Sequence, residues 1–333
     1  MDDPRHPLAS CPFEDVDGAA LDALATLRLR GAGCFLDGHL DEQPHGLSLP
    51  HLLRSLSVTI DAHTHLFPPS QARDREAIAS RDSGFAEIYG DPKATIADAP
   101  ALLAALREDG IEAAIATGFA FAGEREVAEQ NEYLLAVAAE TPRAIVPFST
   151  VNPALAGWER EAERALAQGA RGFGELRPGT QGWDPLGEAG RRLAALAEEA
   201  GAALIWHSSE PVGHRYPGKE GGLSSAELIE VATAAPRVTM VGAHLGAGAS
   251  FYLSMPEVRA AVPNLLFDTA AASLLYDSGT IARLVATAGA ERVLFASDFP
   301  LRRPGPELKR TLEGLDAATG EAIAGANARR LLC

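Results

Sequence analysis

The stretch VTIDAHTHLFPP, residues 58–69, places two histidines at the end of a β-rich apolar run. Such a run predicts a buried strand. Side chains alternate along a strand, so His63 and His65 point to one side and Thr64 to the other. A single histidine at a strand end is more often structural, but a pair favours a metal site. Its meaning therefore depends on the residues that end the other strands.

The rest of the chain alternates short apolar runs with amphipathic segments such as GWEREAERALAQG, which predict helices between strands. Eight such units favour a closed (β/α)8 TIM barrel, an α/β fold, over an open doubly wound sheet. No glycine-rich dinucleotide fingerprint follows any predicted strand. The predicted strands lie at 57–63, 111–117, 144–150, 170–176, 203–208, 237–243, 264–269 and 292–297.

Two regions depart from this alternation. Residues 1–56 are predicted to form an N-terminal extension or small cap, and residues 57–333 the catalytic barrel domain. The connection after the first strand is longer than the others and carries an insert at about 67–95. Loops that follow barrel strands lie on the functional face, so this insert is predicted to be a lid. Its polar composition predicts mobility without ligand, because it offers little apolar surface for packing.

The amino-acid composition argues against several classes of binding partner for this protein. The formal net charge is −16 without a Lys/Arg block, which argues against nucleic acid or an anionic membrane. No apolar run approaches the roughly 18 residues of a membrane span, and MDDPRHPLAS lacks the layout of a secretory signal. Cys11, Cys34 and Cys333 are far apart and form no CxxC motif. We therefore expect a cytoplasmic protein that acts on a small molecule; a homodimer remains open.

Three further predicted strands end in residues that bind metals. His207 ends the fifth strand in WHSSEP, His244 the sixth in GAHLG, and Asp298 the eighth in FASDFP. The carboxyl ends of barrel strands meet at one face, together with His63 and His65. Neutral imidazoles and a carboxylate are the ligands of catalytic Zn²⁺-type sites that leave one position open for water. These five side chains are therefore predicted to form a metal site.

The motifs DAHTH, WHSSEP, GAHLG and FASDFP resemble the amidohydrolase superfamily, in its amidohydrolase-related branch of metal-dependent hydrolases. The resemblance covers about residues 57–330 and implies a distorted (β/α)8 barrel that holds one or two divalent metals. It implies that His63, His65 and Asp298 bind the first metal and that His207 is a ligand. His244 would be a ligand of a second metal or a catalytic residue. Zinc is expected first, although Mn, Fe and Ni also accept these ligands.

The fourth predicted strand, in ARGFGELRPGTQGWDP, places Glu175 and Arg177 on the same face. In binuclear members of the resembled superfamily a carboxylate there bridges the metals, so Glu175 is a candidate ligand; the alternative is an ion pair with an arginine. Arg177 would bind an oxyanion of the substrate through its planar fork, or form a salt bridge. In the loop after the fifth strand, Glu210, His214 and Arg215 are further candidates for substrate contact.

The expected reaction is hydrolysis of an amide, ester or lactone, since a divalent ion activates water and polarises a carbonyl. Asp298 would accept the proton of the attacking water and pass it to the leaving group. His244, if it is not a ligand, would polarise the carbonyl or shuttle the proton. One alternative is a decarboxylase or hydratase of a small carboxylic acid, in which either residue donates a proton to carbon. The other is a non-catalytic barrel that only binds its ligand.

Overall fold

The computed structural model describes residues 58–333, and the predicted extension at 1–56 lies outside them. Within the described part, eight parallel strands pair in chain order. They are β1 (Ile60–His65), β2 (Ala113–Thr117), β3 (Ile145–Ser149), β4 (Gly172–Leu176), β5 (Ala203–Trp206), β6 (Met240–Gly242), β7 (Leu265–Asp268) and β8 (Val293–Leu294). Each overlaps its predicted strand, and the predicted (β/α)8 barrel is confirmed.

Backbone contacts between the two ends of the sheet close the barrel. The N–H of Ala62 donates to the carbonyl oxygen of Phe295 at 2.8 Å, next to β8. Further along, the N–H of Asp298 donates to the carbonyl oxygen of His63 at 3.0 Å. Closure therefore brings the carboxylate that follows β8 directly beside the histidine pair of β1.

Helices surround the barrel and follow the predicted alternation. They are α1 (Pro69–Arg73), α2 (Arg75–Ala79), α3 (Ser83–Tyr89), α4 (Ala99–Asp109), α5 (Glu124–Glu140), α6 (Trp158–Ala167), α7 (Pro178–Gln181), α8 (Glu188–Ala200), α9 (Ser225–Ala234), α10 (Pro256–Ala261), α11 (Ala272–Leu275), α12 (Thr280–Ala288), α13 (Pro304–Thr311), α14 (Ala317–Glu321) and α15 (Asn327–Leu332). Gly201 ends α8 with a φ of 66°, a left-handed conformation that glycine adopts without steric cost. Among the helices of residues 58–333, none has both the length and the apolar character needed to cross a bilayer.

Two layers of apolar side chains hold the fold together. One cluster gathers strand residues, including Ile115, Phe148 and Ile205. The larger cluster packs strands against helices, with Leu134 of α5 and Leu193 of α8 among its members. The strands are almost entirely buried, as expected for a parallel sheet covered by helices. This rigid framework leaves the carboxyl ends of the strands to carry polar side chains.

The insert at 67–95, which we call the roof, contradicts the prediction of little apolar surface. It folds into α1, α2 and α3, and Phe67, Phe85 and Tyr89 are buried in one cluster. Phe119 and Phe121, from the segment after β2, belong to the same cluster; the rings of Phe85 and Phe121 stack at 5.6 Å. This packing was hard to predict because its aromatic residues come from two separate segments of the chain, residues 67–89 and 119–121. The argument from low apolar surface therefore does not hold, and mobility of the insert without ligand stays a prediction.

Candidate metal centre

The six predicted metal ligands converge at the carboxyl ends of the strands. They form two groups, and within each group the ligand atoms lie within 4.8 Å of one another. The first group contains His63, His65 and Asp298, and the second contains Glu175, His207 and His244. The Nε2 atoms of the β1 pair are 3.3 Å apart, which places both histidines on one side of the strand as predicted.

The Glu175 carboxylate lies between the two groups. Its Oε1 is 2.8 Å from Nδ1 of His207 and 3.2 Å from Nε2 of His244. Its Oε2 is 3.6 Å from Nε2 of His65 and 3.8 Å from Nε2 of His63. Each oxygen therefore faces one group, which is the arrangement that a bridging carboxylate requires.

Each of the four histidines has one ring nitrogen bound to an outer partner. The pairs are His63 Nδ1 with Asp268 Oδ2 at 2.9 Å, His65 Nδ1 with Thr117 Oγ1 at 3.0 Å, His207 Nε2 with the Gly218 carbonyl at 2.6 Å, and His244 Nδ1 with the Ala270 carbonyl at 3.0 Å. The other ring nitrogen of each points to the centre. Outer hydrogen bonds of this kind fix the tautomer and orientation of metal-binding histidines.

Asp268 is a candidate functional residue that the sequence analysis did not name. The sequence analysis named Glu175 and Asp298 as acidic residues at strand ends, and Asp268, at the end of β7, is a third. Its buried carboxylate binds His63 and also accepts the backbone N–H of His244 at 3.0 Å. Asp268 therefore supports one histidine from each group. The signal was present, since LLFDT ends a predicted strand in the same way as FASDF.

The electrostatics of the centre favour positive charge. Burial lowers the pKa of His63, but the carboxylates of Glu175 and Asp268 outweigh it and raise that pKa to about 9. For His244, burial is outweighed by its hydrogen bond and charge interaction with Glu175, and its pKa rises to about 10. Burial raises the pKa of Glu175, whereas His207 and His63 hold it well below its usual range. A divalent cation would be stabilised by the same carboxylates. A mixed set of imidazole and carboxylate donors suits Zn²⁺, Mn²⁺ or Fe²⁺.

Two of the predicted ligands have a strained backbone. The φ of His244 is 56° and that of Asp298 is 65°, in the left-handed region that residues with a Cβ rarely adopt. Each such residue costs on the order of 1 kcal/mol and persists only where its surroundings enforce it. Here the strain accompanies the placement of both side chains at the centre.

A cavity of about 510 Å³ opens above the two groups. Its wall is mainly apolar and includes Ile88 of the roof and residues of the segments that follow β2, β7 and β8: Phe119, Leu274, Leu275 and Leu301. Its polar lining, besides His65, Glu175, His207, His244 and Asp298, includes Tyr89, Lys93, Thr95, His214 and Tyr216. An apolar enclosure with few polar groups is typical of sites for small molecules.

The predicted substrate contacts are only partly placed in this cavity. His214 lines it. Glu210 lies behind the wall, where its carboxylate accepts hydrogen bonds from the hydroxyls of Tyr216, at 2.8 Å, and Tyr276. Arg215 is exposed and is not among the described residues that line the cavity. Of the three, only His214 lines the cavity in the described part of the chain, and its contact with substrate stays a prediction.

Arg177 is buried in an ion pair, which favours the salt-bridge alternative over substrate binding. Its Nη2 donates to Oε2 of Glu87 in the roof at 2.7 Å, and its Nε donates to the carbonyl of Glu220 at 2.7 Å. Oε1 of Glu87 accepts the N–H of Gly218 at 3.0 Å, and the carbonyl of Gly218 accepts from His207. Gly218 has a φ of 95°, so glycine suits this position. Arg177 thus ties the roof to the loop that orients His207.

Replacing Arg177 by methionine is expected to loosen the roof and the second ligand group together. The change leaves the Glu87 carboxylate without its cation and removes the hydrogen bond to the carbonyl oxygen of Glu220. Loss of outer partners of metal-binding histidines weakens metal binding by about 10- to 100-fold. Hydrogen exchange of residues 83–89 should accelerate, and Mn²⁺ titration should show a weaker affinity. Arg164→Met, which breaks a pair with Glu161 on α6, is the control; exchange and affinity equal to wild type in Arg177→Met would contradict this role.

Comparison with known proteins gives one family and several structures of the same fold. The Amidohydrolase family model matches residues 60–332. None of the curated proteins matches the chain in sequence. The structure of 5-carboxyvanillate decarboxylase from Sphingomonas paucimobilis is similar at a TM-score of 0.66 and 16% identity, covering 83% of this chain and 99% of that one.

Two further structures are similar at comparable identity. One is 5-carboxyvanillate decarboxylase from Novosphingobium aromaticivorans, in complex with manganese and 4-hydroxy-3-methoxy-5-nitrobenzoic acid. Its TM-score is 0.66 at 17% identity, over 83% of this chain and 96% of that one. The other is 4-oxalomesaconate hydratase from Rhodopseudomonas palustris, with a TM-score of 0.57 at 16% identity, over 83% and 95% of the two chains. At these identities the likeness shows a shared fold.

Proposed function

The chain belongs to the amidohydrolase family, and on that premise we propose that it is a metal-dependent lyase that decarboxylates or hydrates a small carboxylic acid. From the sequence, hydrolysis was the expected reaction and this lyase reaction was an alternative to it. The observation that carries the proposal is that His244 and Asp298, both able to move a proton, line one apolar cavity beside the ligand groups. The fold is also shared with two decarboxylases and a hydratase.

In this proposal His63, His65 and Asp298 hold a divalent ion, and Glu175, His207 and His244 are the candidates for a second. The bound ion supplies positive charge that stabilises negative charge developing on oxygen atoms of the substrate. Manganese, present in one of the similar structures, suits the donor set as well as the zinc expected from the sequence. The outer hydrogen bonds of the four histidines support this assignment because they leave one ring nitrogen of each directed to the centre.

The residues of the chain would bind the acid and move its protons. Phe119, Leu275 and Leu301 offer apolar contacts to the body of the acid, and the roof limits access of water. In a decarboxylation, the bond from carbon to its carboxylate breaks, CO₂ leaves, and that carbon takes a proton from Asp298 or His244. In a hydration, one of the two takes a proton from water as its oxygen adds to a C=C bond, and the other protonates the neighbouring carbon.

Hydrolysis of an amide, ester or lactone is the second candidate, and the position of Glu175 favours it. A carboxylate with one oxygen toward each ligand group could bridge two ions, as in the binuclear hydrolases that the sequence resembles. Asp298 would then take the proton of the attacking water and pass it to the leaving group. The non-catalytic alternative is disfavoured, because a protein under no catalytic demand need not keep so complete a set of oriented donors.

An activity panel on the full chain, reconstituted separately with Mn²⁺ and Zn²⁺, tests the proposal. Aromatic carboxylic acids would be assayed for CO₂ release, unsaturated acids for hydration, and esters, amides and lactones for hydrolysis. We expect turnover of an acid that a chelator abolishes and added metal restores. Hydrolysis without turnover of any acid would make the second candidate the function, and inactivity of the metal-replete protein on the whole panel would revive the binding protein.

A further inference from the structure

Tyr89, the last residue of α3, reaches the cavity from the roof. Its side chain lines the cavity together with His65, Glu175 and Asp298, and the residue is 7% exposed. Its hydroxyl has no hydrogen-bond partner among residues 58–333. Buried phenols usually find a partner. The hydroxyl is therefore a donor in the cavity that the protein itself does not use.

The ring that carries this hydroxyl is held firmly. Its centroid lies 4.9 Å from that of Phe67, 5.3 Å from that of Phe85 and 5.6 Å from that of Phe119. Glu87, two residues earlier on the same helix, is fixed by Arg177. Aromatic packing and the ion pair together set the position of the phenol before any substrate arrives, so little ordering remains to be done on binding.

The charges near the phenol keep it protonated. Burial raises the pKa of Tyr89, and the carboxylates of Asp298 and Glu175 raise it further. Even an ordinary tyrosine, with a pKa near 10, is protonated at neutral pH. The group that faces the cavity is therefore an O–H, which can donate to an oxygen that gains negative charge.

We propose that the hydroxyl of Tyr89 donates a hydrogen bond to an oxygen of the bound acid and is a catalytic residue supplied by the roof. The inference rests on the proposed function and names a group that the sequence analysis did not consider. A preorganised donor is worth most where charge develops on its acceptor during the reaction. Removing one such donor lowers kcat by about 10²-fold in acyl-transfer enzymes. An effect of that order is expected here.

Tyr89→Phe in the full chain reconstituted with Mn²⁺ is the test, because it keeps the packed ring and removes only the hydroxyl. We expect kcat on the acid identified by the panel to fall by about 10²-fold, with Mn²⁺ content and Tm as in wild type. Tyr133→Phe is the matched control, since that hydroxyl accepts the N–H of Ala99 at the start of α4 and does not line the cavity. It should leave kcat and KM unchanged.

Wild-type kcat in Tyr89→Phe, or a rise in KM alone, would overturn the catalytic assignment while the proposed function stands. A fall in kcat that accompanies a loss of Mn²⁺ or a lower Tm would also overturn it, because the role would then be structural. A second readout is binding of 4-hydroxy-3-methoxy-5-nitrobenzoate by Mn²⁺-loaded protein, which needs no turnover. If wild type neither binds this probe nor converts any acid, the proposed function fails and this inference fails with it.

Discussion

Asp298→Asn is expected to lower kcat of the metal-loaded protein by about three orders of magnitude, since general acid–base groups contribute about 10²- to 10⁴-fold. The carboxylate lies 3.3 Å from Nε2 of His65 and faces the cavity. An amide of nearly the same size cannot accept and return a proton, and it lacks the negative charge that a metal ligand supplies. Asparagine tolerates the left-handed backbone at this position, so the fold should survive. Steady-state kinetics with circular dichroism measures both effects.

A suitable control for this variant is Asp98→Asn. Asp98 caps the start of α4, where its carboxylate accepts a hydrogen bond from the N–H of Ala101 at 3.1 Å. It belongs to neither ligand group and does not line the cavity. Asparagine caps helices as well as aspartate does, so kcat and stability should both stay near wild type. Turnover by Asp298→Asn close to that of wild type would remove the residue from the chemistry under either candidate reaction.

If the centre binds two ions, the arrangement that favours hydrolysis, Glu175→Gln is expected to reduce the metal content from about two ions per chain to about one, because two dications need an anion between them in a poorly screened site. Glutamine keeps the shape of the side chain and removes its charge. His207 and His244 would then lose their ion, whereas His63, His65 and Asp298 would keep theirs. Metal analysis after reconstitution with excess Mn²⁺ or Zn²⁺ measures the stoichiometry.

Glu210→Gln is the control for this experiment, since that carboxylate is near the cavity but is held by two tyrosine hydroxyls outside both ligand groups. Its metal content should equal that of wild type. A single equivalent in both wild type and Glu175→Gln would contradict the binuclear arrangement. It would also favour the lyase, because a bridged pair of ions is what favours hydrolysis.

The barrel and most of the candidate centre could be predicted because their signals are local. A strand ends where its apolar run ends, and parallel strands of a barrel all end at one face. His207, His244 and Asp298 could therefore be grouped with the β1 pair although they are far from it in the chain. Asp268 obeys the same rule at the end of the seventh strand, so its position was also predictable from the sequence.

The roof and its ties to the barrel could not be predicted in this way. Arg177 and Glu87 are 90 positions apart, and nothing in the sequence near either residue indicates the other. The aromatic cluster around Tyr89 draws on two separate segments, so no periodic pattern reveals it. Whether Arg177 contacts substrate or forms a salt bridge depends on where the roof packs against the barrel. Local sequence patterns do not show that packing.

The left-handed backbone at His244 and Asp298 lowers the stability of the fold at two positions that the proposed reaction uses. A variant with glycine at either position would relax the main chain and remove buried charge or polarity, and both changes favour the metal-free folded state. Enrichment of a library for heat tolerance would therefore select against two residues to which the proposed reaction assigns proton transfer. Engineering of a more robust version of this barrel should hold these two positions fixed and seek its gains in the helices on the outer surface.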